Sequence, residues 1–310
     1  MRPTRLVHLV LIVSLCLSAS GCAMIHNAAA DSIILPYRPS RAELRQHFTR
    51  GITPEEYGLQ AVDKVIHVSD GIDLAAWFFA ADSAVGNVIV LHGFGGAKEQ
   101  QLGAAEMLLK RHYNVVLFDA RGHGASGGRY CTHGVRERHD LVQIIDSAQA
   151  AFGAALPLGL MGHSFGGSVV LQTMAIDKRV RCAVVESTYS SLRAAVNDYA
   201  GSIPILSAPS VKRASYRLAG QKAGFDPDSA SNIWAARRIT QPVFLSHGTE
   251  DERLDFDNGE RIRDALSPEL VTWRPVVGAG HNTVWQFGGA DYKAEILAFF
   301  DKNLKSAGRQ

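Results

Sequence analysis

Between residues 62 and 305, short apolar runs alternate with longer stretches in which apolar positions recur at helical spacing. Each run is short and largely apolar, as expected for a strand that is buried on both faces of a sheet. The six runs are Asn87–Gly93, Tyr113–Ala120, Leu156–Ser164, Arg181–Thr188, Pro242–Gly248 and Leu270–Gly278. This alternation predicts an α/β fold with a mostly parallel central sheet and helices on both of its faces.

A different pattern precedes the first of these strands. The segment VDKVIHVSDGIDLAAWFFAA, residues 62–81, contains two strand-like runs on either side of Asp70-Gly71. Asp-Gly is a preferred pair for a two-residue hairpin turn, because both positions tolerate a positive φ. The segment therefore predicts an antiparallel hairpin with a two-residue turn at one edge of the sheet.

Two regions lack a clear period. Residues 189–241 contain Pro204, Pro209 and Pro227 and show weak periodicity, which predicts a short lid-like insertion over one edge of the sheet. Residues 23–40 are also irregular, and we interpret residues 22–61 as a tether that leads into the main domain at residues 62–305.

The chain begins with a targeting pattern. Arg2 and Arg5 precede an apolar stretch of 15 residues that ends in Ala-Ser-Gly-Cys, with Cys22 last. This pattern resembles a bacterial lipoprotein signal peptide, although the family usually has Leu where this chain has Ala19. The resemblance implies removal of residues 1–21, lipid attachment at Cys22 and an exported protein held on a membrane. An ordinary secretory signal and an uncleaved anchor are the alternatives.

Composition narrows the function classes further. The chain has 310 residues, 46% of them hydrophobic, with 32 basic and 30 acidic side chains and no Lys/Arg run, which argues against nucleic-acid binding. Without Arg2 and Arg5 the charges balance, so anionic lipid would not attract the mature domain. Cys131 and Cys182 are predicted at opposite ends of their strands, so we expect no disulfide between them.

The third buried run leads into Gly162-His163-Ser164-Phe165-Gly166, after which the pattern becomes helical. A strand that turns sharply into a helix crowds the residues two positions before and after the turn, and glycine relieves that crowding. Ser164 is therefore predicted to stand at the N-terminus of a helix, clear of the sheet, where its hydroxyl can act as a nucleophile.

This Gly-x-Ser-x-Gly turn between a strand and a helix resembles the nucleophile elbow of the α/β-hydrolase superfamily, and the resemblance covers residues 62–305. In that family the acid and the histidine follow the serine in chain order. The resemblance implies Asp251 as the acid and His281, in a glycine-rich loop before the last helix, as the base. The neighbouring acids Glu250, Glu252, Asp255 and Asp257 are the competitors of Asp251. We expect His163 to point elsewhere and His247 to be structural.

Other segments match the same family. The Leu91–Gly96 segment, LHGFGG, resembles the oxyanion loop, which implies that the backbone N–H groups of Phe94 and Phe165 stabilise the oxyanion. His92 is expected to be loop scaffolding. The Asp119–Gly128 segment, DARGHGASGG, resembles a structural turn that is common in these hydrolases.

The resemblance implies a serine hydrolase that cleaves carboxylic ester or thioester bonds through an acyl-enzyme, in the manner of small membrane-associated esterases and depalmitoylase-like hydrolases. The expected partners are a small-molecule or lipid-like acyl ester and, through the anchor, a membrane. No cofactor is required, and no His/Asp set has metal-ligand spacing. The alternatives are a serine peptidase of the prolyl-oligopeptidase kind and a catalytically inactive binding protein on the same fold.

Overall fold

The computed structural model describes residues 21–201 and 207–305, which build one eight-stranded sheet with helices on both faces. The strands are β1 (Val62–His67), β2 (Asp73–Phe79), β3 (Gly86–Leu91), β4 (Tyr113–Phe118), β5 (Leu158–His163), β6 (Val180–Glu186), β7 (Val243–Gly248) and β8 (Val271–Val276). Their order across the sheet is β1-β2-β4-β3-β5-β6-β7-β8. All six residues of β3 are buried, as are all six of β4, which explains their continuous apolar sequence.

The sheet confirms the predicted topology. β1 pairs antiparallel with β2, and β2 pairs antiparallel with β4, whereas every pairing from β4 to β8 is parallel. The carboxyl ends of β3, β5, β6, β7 and β8 therefore meet at one edge of the sheet. Loops that leave these ends can bring together residues that are far apart in sequence.

The hairpin turn is longer than predicted. His67 pairs with Asp73, which leaves five residues between the strands, and the Val68 amide donates to the carbonyl of Ile72 at 2.9 Å. The carboxylate of Asp70 accepts a hydrogen bond from the guanidinium of Arg121 at 2.8 Å. The two-residue turn was therefore a wrong prediction. The Gly71 amide donates to the Val68 carbonyl at 2.8 Å and Gly71 has φ +81°, so three residues lie between the hydrogen-bonded Val68 and Ile72.

Ten α-helices are present in the described part of the chain. They are α1 (residues 21–34), α2 (Arg41–His47), α3 (Leu102–Leu109), α4 (Glu137–Phe152), α5 (Phe165–Ile176), α6 (Leu192–Gly201), α7 (Pro209–Ala223), α8 (Asn232–Ala236), α9 (Asp257–Ala265) and α10 (Val284–Leu304). α10 is kinked at Gly289, where φ is +62°. Among the described residues, no helix combines the length and the hydrophobicity that crossing a membrane requires.

The two faces of the sheet carry separate cores. One contains Cys131 with the apolar face of α4, and the other contains Cys182 with Tyr292 and Phe300 of α10. Both cysteines are buried and free, and they lie in different cores. No disulfide joins them.

The N-terminal segment is more ordered than the irregular tether that we expected for residues 23–40. Residues 21–34 form α1, whose Ala30 and Ile34 are buried against Tyr216 and Ala219 of α7. This packing could not be predicted from the local sequence, because the partner surface comes from a helix far along the chain. The insertion itself, residues 189–241, contains α6, α7 and α8. The predicted signal peptide lies, up to residue 20, outside the described residues.

Candidate active site

Ser164 lies at the turn between β5 and α5 with φ +54° and ψ −117°, a conformation that costs roughly 1–3 kcal/mol for a residue with a side chain. A Cβ added to Gly162 would lie 2.4 Å from the carbonyl oxygen of Gly166, and one added to Gly166 would lie 2.4 Å from that of Leu91. Both glycines are therefore sterically required. The Ser164 amide donates to the carbonyl of Glu186 at 2.8 Å, which holds the turn against β6.

Three predicted site residues are brought together at the carboxyl edge of the sheet. The Nε2 atom of His281 is 3.0 Å from Ser164 Oγ, and its Nδ1 atom is 2.8 Å from Asp251 Oδ2. Asp251 follows β7, and His281 follows β8. With the proton on Nδ1, the neutral imidazole donates to Asp251 and accepts from the serine hydroxyl, which is the arrangement that a general base requires.

The Asp251 carboxylate is fixed by several donors. Its Oδ1 atom accepts from the amides of Arg253 and Leu254, each at 2.9 Å. Burial alone would raise the pKa of Asp251, but hydrogen bonds from His247 and His281 outweigh burial and lower this pKa well below its usual value. The group therefore stays ionised at neutral pH and can stabilise a protonated His281.

The competing acids are elsewhere. Asp255, Asp257, Glu250 and Glu252 are exposed or partly exposed, and none of them contacts His281. Asp255 instead faces Asn258 and Asp198 around the start of α9. The geometry therefore favours Asp251 over its neighbours.

Two histidines contribute more than we expected. His247 Nε2 lies 3.2 Å from Asp251 Oδ2 and 3.0 Å from the carbonyl of Leu254, so this residue contacts the acid directly. The His163 ring does not point away from the site: its centroid is 5.1 Å from that of His281, and its Nε2 lies 3.3 Å from Asn282 Oδ1. Burial, reinforced by repulsion from His281, lowers the pKa of His163 to about 3, so this ring is neutral.

The predicted oxyanion residues flank Ser164. Within the described chain, the backbone N–H groups of Phe94 and Phe165 donate to no protein acceptor, and a Cβ at Gly93 would be 3.5 Å from that of Ser164. His92 holds this loop: its Nδ1 donates to the Gly93 carbonyl at 2.8 Å and its Nε2 accepts from the Ala120 amide at 3.1 Å. Two unpaired donors beside a nucleophile can bind a developing oxyanion.

The Asp119–Gly128 segment supports the loops around the site without reaching Ser164. The buried Asp119 accepts from Lys98 Nζ at 2.8 Å and from the Ala125 amide at 2.9 Å. The guanidinium of Arg121 donates two hydrogen bonds to the carboxylate of Asp140 and forms a bidentate ion pair with it. The Lys98–Asp119 pair joins this segment to the chain after β3, and the Arg121–Asp140 pair joins it to α4, which agrees with the structural role that the resemblance implied.

A cavity of about 450 Å³ opens above Ser164, within the usual range for small-molecule sites. Among the described residues, its lining is mostly apolar and includes no carboxylate; Lys212 and Arg253 are the cationic side chains of this part of the lining. The lining residues are Ala29, Ser32, Ile33, Phe94, His133, Ser164, Phe165, Tyr189, Leu192, Ala195, Val196, Tyr199, Ala200, Val211, Lys212, Ser215 and Arg253. Most of them come from the lid, residues 189–241, and from α1. The sequence had connected the lid with the site but not α1.

The described residues contain no candidate metal centre. No group of three or more His, Cys, Asp or Glu side chains among them is placed to hold an ion. The buried histidines are instead engaged with protein atoms. His133, for example, lies between the Ile33 carbonyl and the Tyr189 hydroxyl.

Comparison with known proteins agrees with this architecture. A family model described as the alpha/beta hydrolase fold matches residues 86–236. The chain is similar to the uncharacterized protein YfhR of Escherichia coli K12, with 23% identity over 224 residues that cover 67% of this chain and 69% of that protein. It is also similar to human alpha/beta hydrolase domain-containing protein 17C, with 27% identity over 63% of this chain and 51% of that protein.

Solved structures show the same fold. The esterase Pf2001 of Pyrococcus furiosus superposes with a TM-score of 0.68 at 23% identity, covering 81% of this chain and 94% of that one. The acylaminoacyl peptidase of Pyrococcus horikoshii superposes with a TM-score of 0.60 at 16% identity, covering 81% of this chain and 43% of that one. One scaffold thus accommodates both ester and peptide hydrolysis among these neighbours, so the residues of the site must decide between them.

Proposed function

We propose that this chain, which has the α/β-hydrolase fold, is a serine hydrolase that cleaves carboxylic ester or thioester bonds. The observation that carries the proposal is the continuous hydrogen-bonded line from Asp251 through His281 to Ser164, with distances of 2.8 and 3.0 Å. A serine hydroxyl is a weak nucleophile at neutral pH, and this line supplies the base and the group that orients it.

This geometry supports the following reaction sequence. Ser164 Oγ attacks the acyl carbonyl while its proton passes to His281 Nε2, and the amides of Phe94 and Phe165 bind the oxyanion that forms. His281 then gives the proton to the departing alcohol or thiol, which leaves an acyl group on Ser164. Water, deprotonated by His281, releases the acid and restores the hydroxyl. Asp251 remains ionised throughout and stabilises the protonated imidazole.

The cavity supports an acyl ester over a peptide. Apolar side chains, mainly of α1 and α6, dominate the part of its lining that the structure describes, where no carboxylate is present to bind a peptide amino group. Burial of a hydrocarbon chain against such walls is favourable by about 0.8 kcal/mol per methylene. We therefore propose an acyl ester or thioester with an apolar acyl chain as the substrate class.

An active-site probe tests this proposal. The purified protein should be labelled by a fluorophosphonate at Ser164, and the Ser164→Ala variant should not be labelled. Wild type should hydrolyse p-nitrophenyl acyl esters and leave aminoacyl-nitroanilides largely intact. Preference for the nitroanilides would favour the peptidase alternative, and absence of both labelling and turnover would favour an inactive binding protein.

We also propose that the protein is exported and held on a membrane by lipid at Cys22. Cys22 is exposed in the first described turn of α1. At 1.5 Å per residue it lies roughly 10 Å along the helix axis from Ala29, a residue of the cavity lining. Because α1 is packed on the lid, such an anchor would restrict the orientation of the catalytic domain, whereas a loose tether would not.

Cell fractionation tests the anchor. Wild type should occur in the membrane fraction with a diacylated mature N-terminus at Cys22, since two acyl chains are required for stable attachment. Cys22→Ser should abolish the lipid mass in intact-mass spectrometry while probe labelling of Ser164 persists in a detergent extract. An unmodified N-terminus, or one that begins at another residue, would contradict the lipoprotein proposal.

A further inference from the structure

α1 forms one wall of the cavity above Ser164. Ala29, Ser32 and Ile33 line this cavity, and their spacing of three and four residues places them on one face of the helix. Leu192 and Val196 of α6, together with residues of α7, line the cavity as well. A hydrocarbon chain that extends from Ser164 into the cavity is therefore enclosed between the lid and α1.

Polar contacts hold this wall at several points. The Cys131 amide donates to the carbonyl of Ile34 at 2.8 Å, and Lys222 of α7 pairs with Asp31 at 2.8 Å. Ala30 and Ile34 are fully buried beneath the lid. Because hydrogen bonds, an ion pair and apolar burial act together, α1 has a defined position relative to the nucleophile.

The chain after α1 is fixed to the loops of the active site. The guanidinium of Arg38 donates to the carbonyls of Gly124, Ser126 and Gly128 at 2.8–3.1 Å. Tyr37 lies beside Gly95 of the oxyanion loop, 3.7 Å from the position of a Cβ there. The C-terminal end of α1 is thus anchored on the side that carries the proposed oxyanion donors.

His133 joins α1 to the oxyanion loop directly. Its Nε2 donates to the carbonyl of Ile33 at 2.7 Å, and its Nδ1 accepts from the hydroxyl of Tyr189 at 3.0 Å. The His133 ring stacks on Phe94, with centroids 5.4 Å apart and an interplanar angle of 16°. The buried His133 side chain therefore contacts the cavity wall, the first residue of the lid, Tyr189, and a proposed oxyanion residue, Phe94.

From these contacts we propose that α1 is the wall of the acyl subsite and that Ala29 and Ile33 set the longest acyl chain that the enzyme accepts. The inference rests on the proposed esterase function and assigns its specificity-determining residues. Ala29 is small and buried at the cavity, so a larger side chain there would occupy space that an acyl chain needs. Ile33 is large, so its truncation would extend that space.

A matched pair of variants tests the assignment. Ala29→Phe places a ring in the cavity, whereas Ala28→Phe makes the same change at the neighbouring exposed position of α1. Turnover is measured for p-nitrophenyl acetate, butyrate, octanoate, dodecanoate and hexadecanoate. Ala29→Phe should lower kcat/KM for dodecanoate relative to acetate by about tenfold or more, since each excluded methylene forfeits roughly fourfold. Ala28→Phe should retain the wild-type profile.

A second variant, with the opposite expected effect on acyl-chain preference, keeps the assignment testable if Ala29→Phe fails to fold. Ile33→Ala should raise the ratio of kcat/KM for hexadecanoate over octanoate several-fold, while a urea unfolding curve shows that the protein remains folded. Identical chain-length profiles in wild type, Ala29→Phe and Ile33→Ala would overturn the assignment, whatever the profile of Ala28→Phe.

Binding without catalysis separates the two proposals. In a Ser164→Ala background, titration calorimetry with dodecanoate should show binding that Ala29→Phe weakens by about tenfold and Ala28→Phe leaves unchanged. This pattern would support the acyl wall even if the wild type hydrolysed no ester, an outcome that would refute only the proposed esterase function. Absence of dodecanoate binding, or equal binding in both variants, would overturn the acyl wall.

Discussion

The turn that carries Ser164 and the cavity above it differ in how they are encoded. The turn is built from consecutive residues, Gly162 to Gly166, whose spacing follows from steric contacts of 2.4 Å. The cavity is built from α1, α6 and α7, which are distant in sequence and meet only after folding. The proposed nucleophile is thus encoded locally in the sequence, whereas the cavity proposed to select the substrate is not.

The same contrast holds for the forces that maintain each region. Backbone strain at Ser164 is sustained by the sheet around it, through the bond from its amide to Glu186. The cavity wall depends instead on contacts between separate helices, among them the bonds of His133. Perturbing the turn should therefore abolish chemistry, and perturbing the wall should change stability and specificity.

The largest effect is expected at the nucleophile. Ser164→Ala should lower kcat for a short p-nitrophenyl ester by a factor on the order of 10⁴–10⁶, because no other hydroxyl is in contact with His281 in the described chain. Unfolding in urea should be close to that of wild type. Steady-state kinetics measures the effect, and retention of a tenth of wild-type activity would refute the assignment.

The next effect distinguishes the acid from its neighbours. Asp251→Asn should lower kcat by about 10⁴, because an amide at this place favours the wrong tautomer of His281. Asp255→Asn, an equivalent change on the same loop, should have little effect, since Asp255 does not reach His281. Comparison of kcat/KM for the two variants decides between them, and the reverse order would make Asp255 the acid.

A moderate loss of stability is expected when His133, which joins the cavity wall to the oxyanion loop, is replaced. His133→Phe should keep the stacking on Phe94 but leave the Ile33 carbonyl and the Tyr189 hydroxyl without their partner, at a cost of roughly 2–4 kcal/mol in the free energy of unfolding. His47→Phe, at an exposed site in α2, is the control and should be nearly neutral. Urea denaturation measures both, and equal stabilities would show that the wall does not depend on His133.

The smallest expected effect is a pH dependence of stability caused by Glu186, a buried carboxyl at the end of β6. Glu186 Oε1 accepts from the Tyr292 hydroxyl and from Trp285 Nε1, at 2.6 and 2.7 Å. Burial raises the pKa of Glu186 to about 7, although these two donors act in the opposite direction. The folded state thus favours the protonated group, so its contribution to stability is complete below the unfolded pKa and is lost as pH rises toward 7.

The sign of that dependence can be measured. Between about pH 4.5 and 7, the free energy of unfolding of wild type should fall relative to that of Glu186→Gln by on the order of 2 kcal/mol. The glutamine keeps an oxygen acceptor and carries no charge, so it removes only the titration. Parallel stability curves for the two proteins across this range would show that Glu186 does not titrate there.

Much of the fold could be predicted from the sequence because its determinants are local. Buried strands produce apolar runs, covering helices produce helical spacing, and a strained turn needs glycine on both sides of Ser164. The length of the hairpin turn could not be predicted, because Asp-Gly is also compatible with a three-residue loop in which only Gly71 has a positive φ. The contacts of His163 and His247 with the other site residues also required the assembled sheet.

The amino-acid pattern alone specifies the α/β architecture, the antiparallel hairpin at the edge of the sheet, and the order of Ser164, Asp251 and His281 along the chain. The closure of the cavity by α1 depends on tertiary packing, because the surface that buries Ala30 and Ile34 belongs to a helix almost two hundred residues later in the chain. The sequence of a short apolar helix face does not identify the surface against which the face packs. Hydrophobic burial is non-directional, so which surfaces meet is settled by the packing of the whole domain.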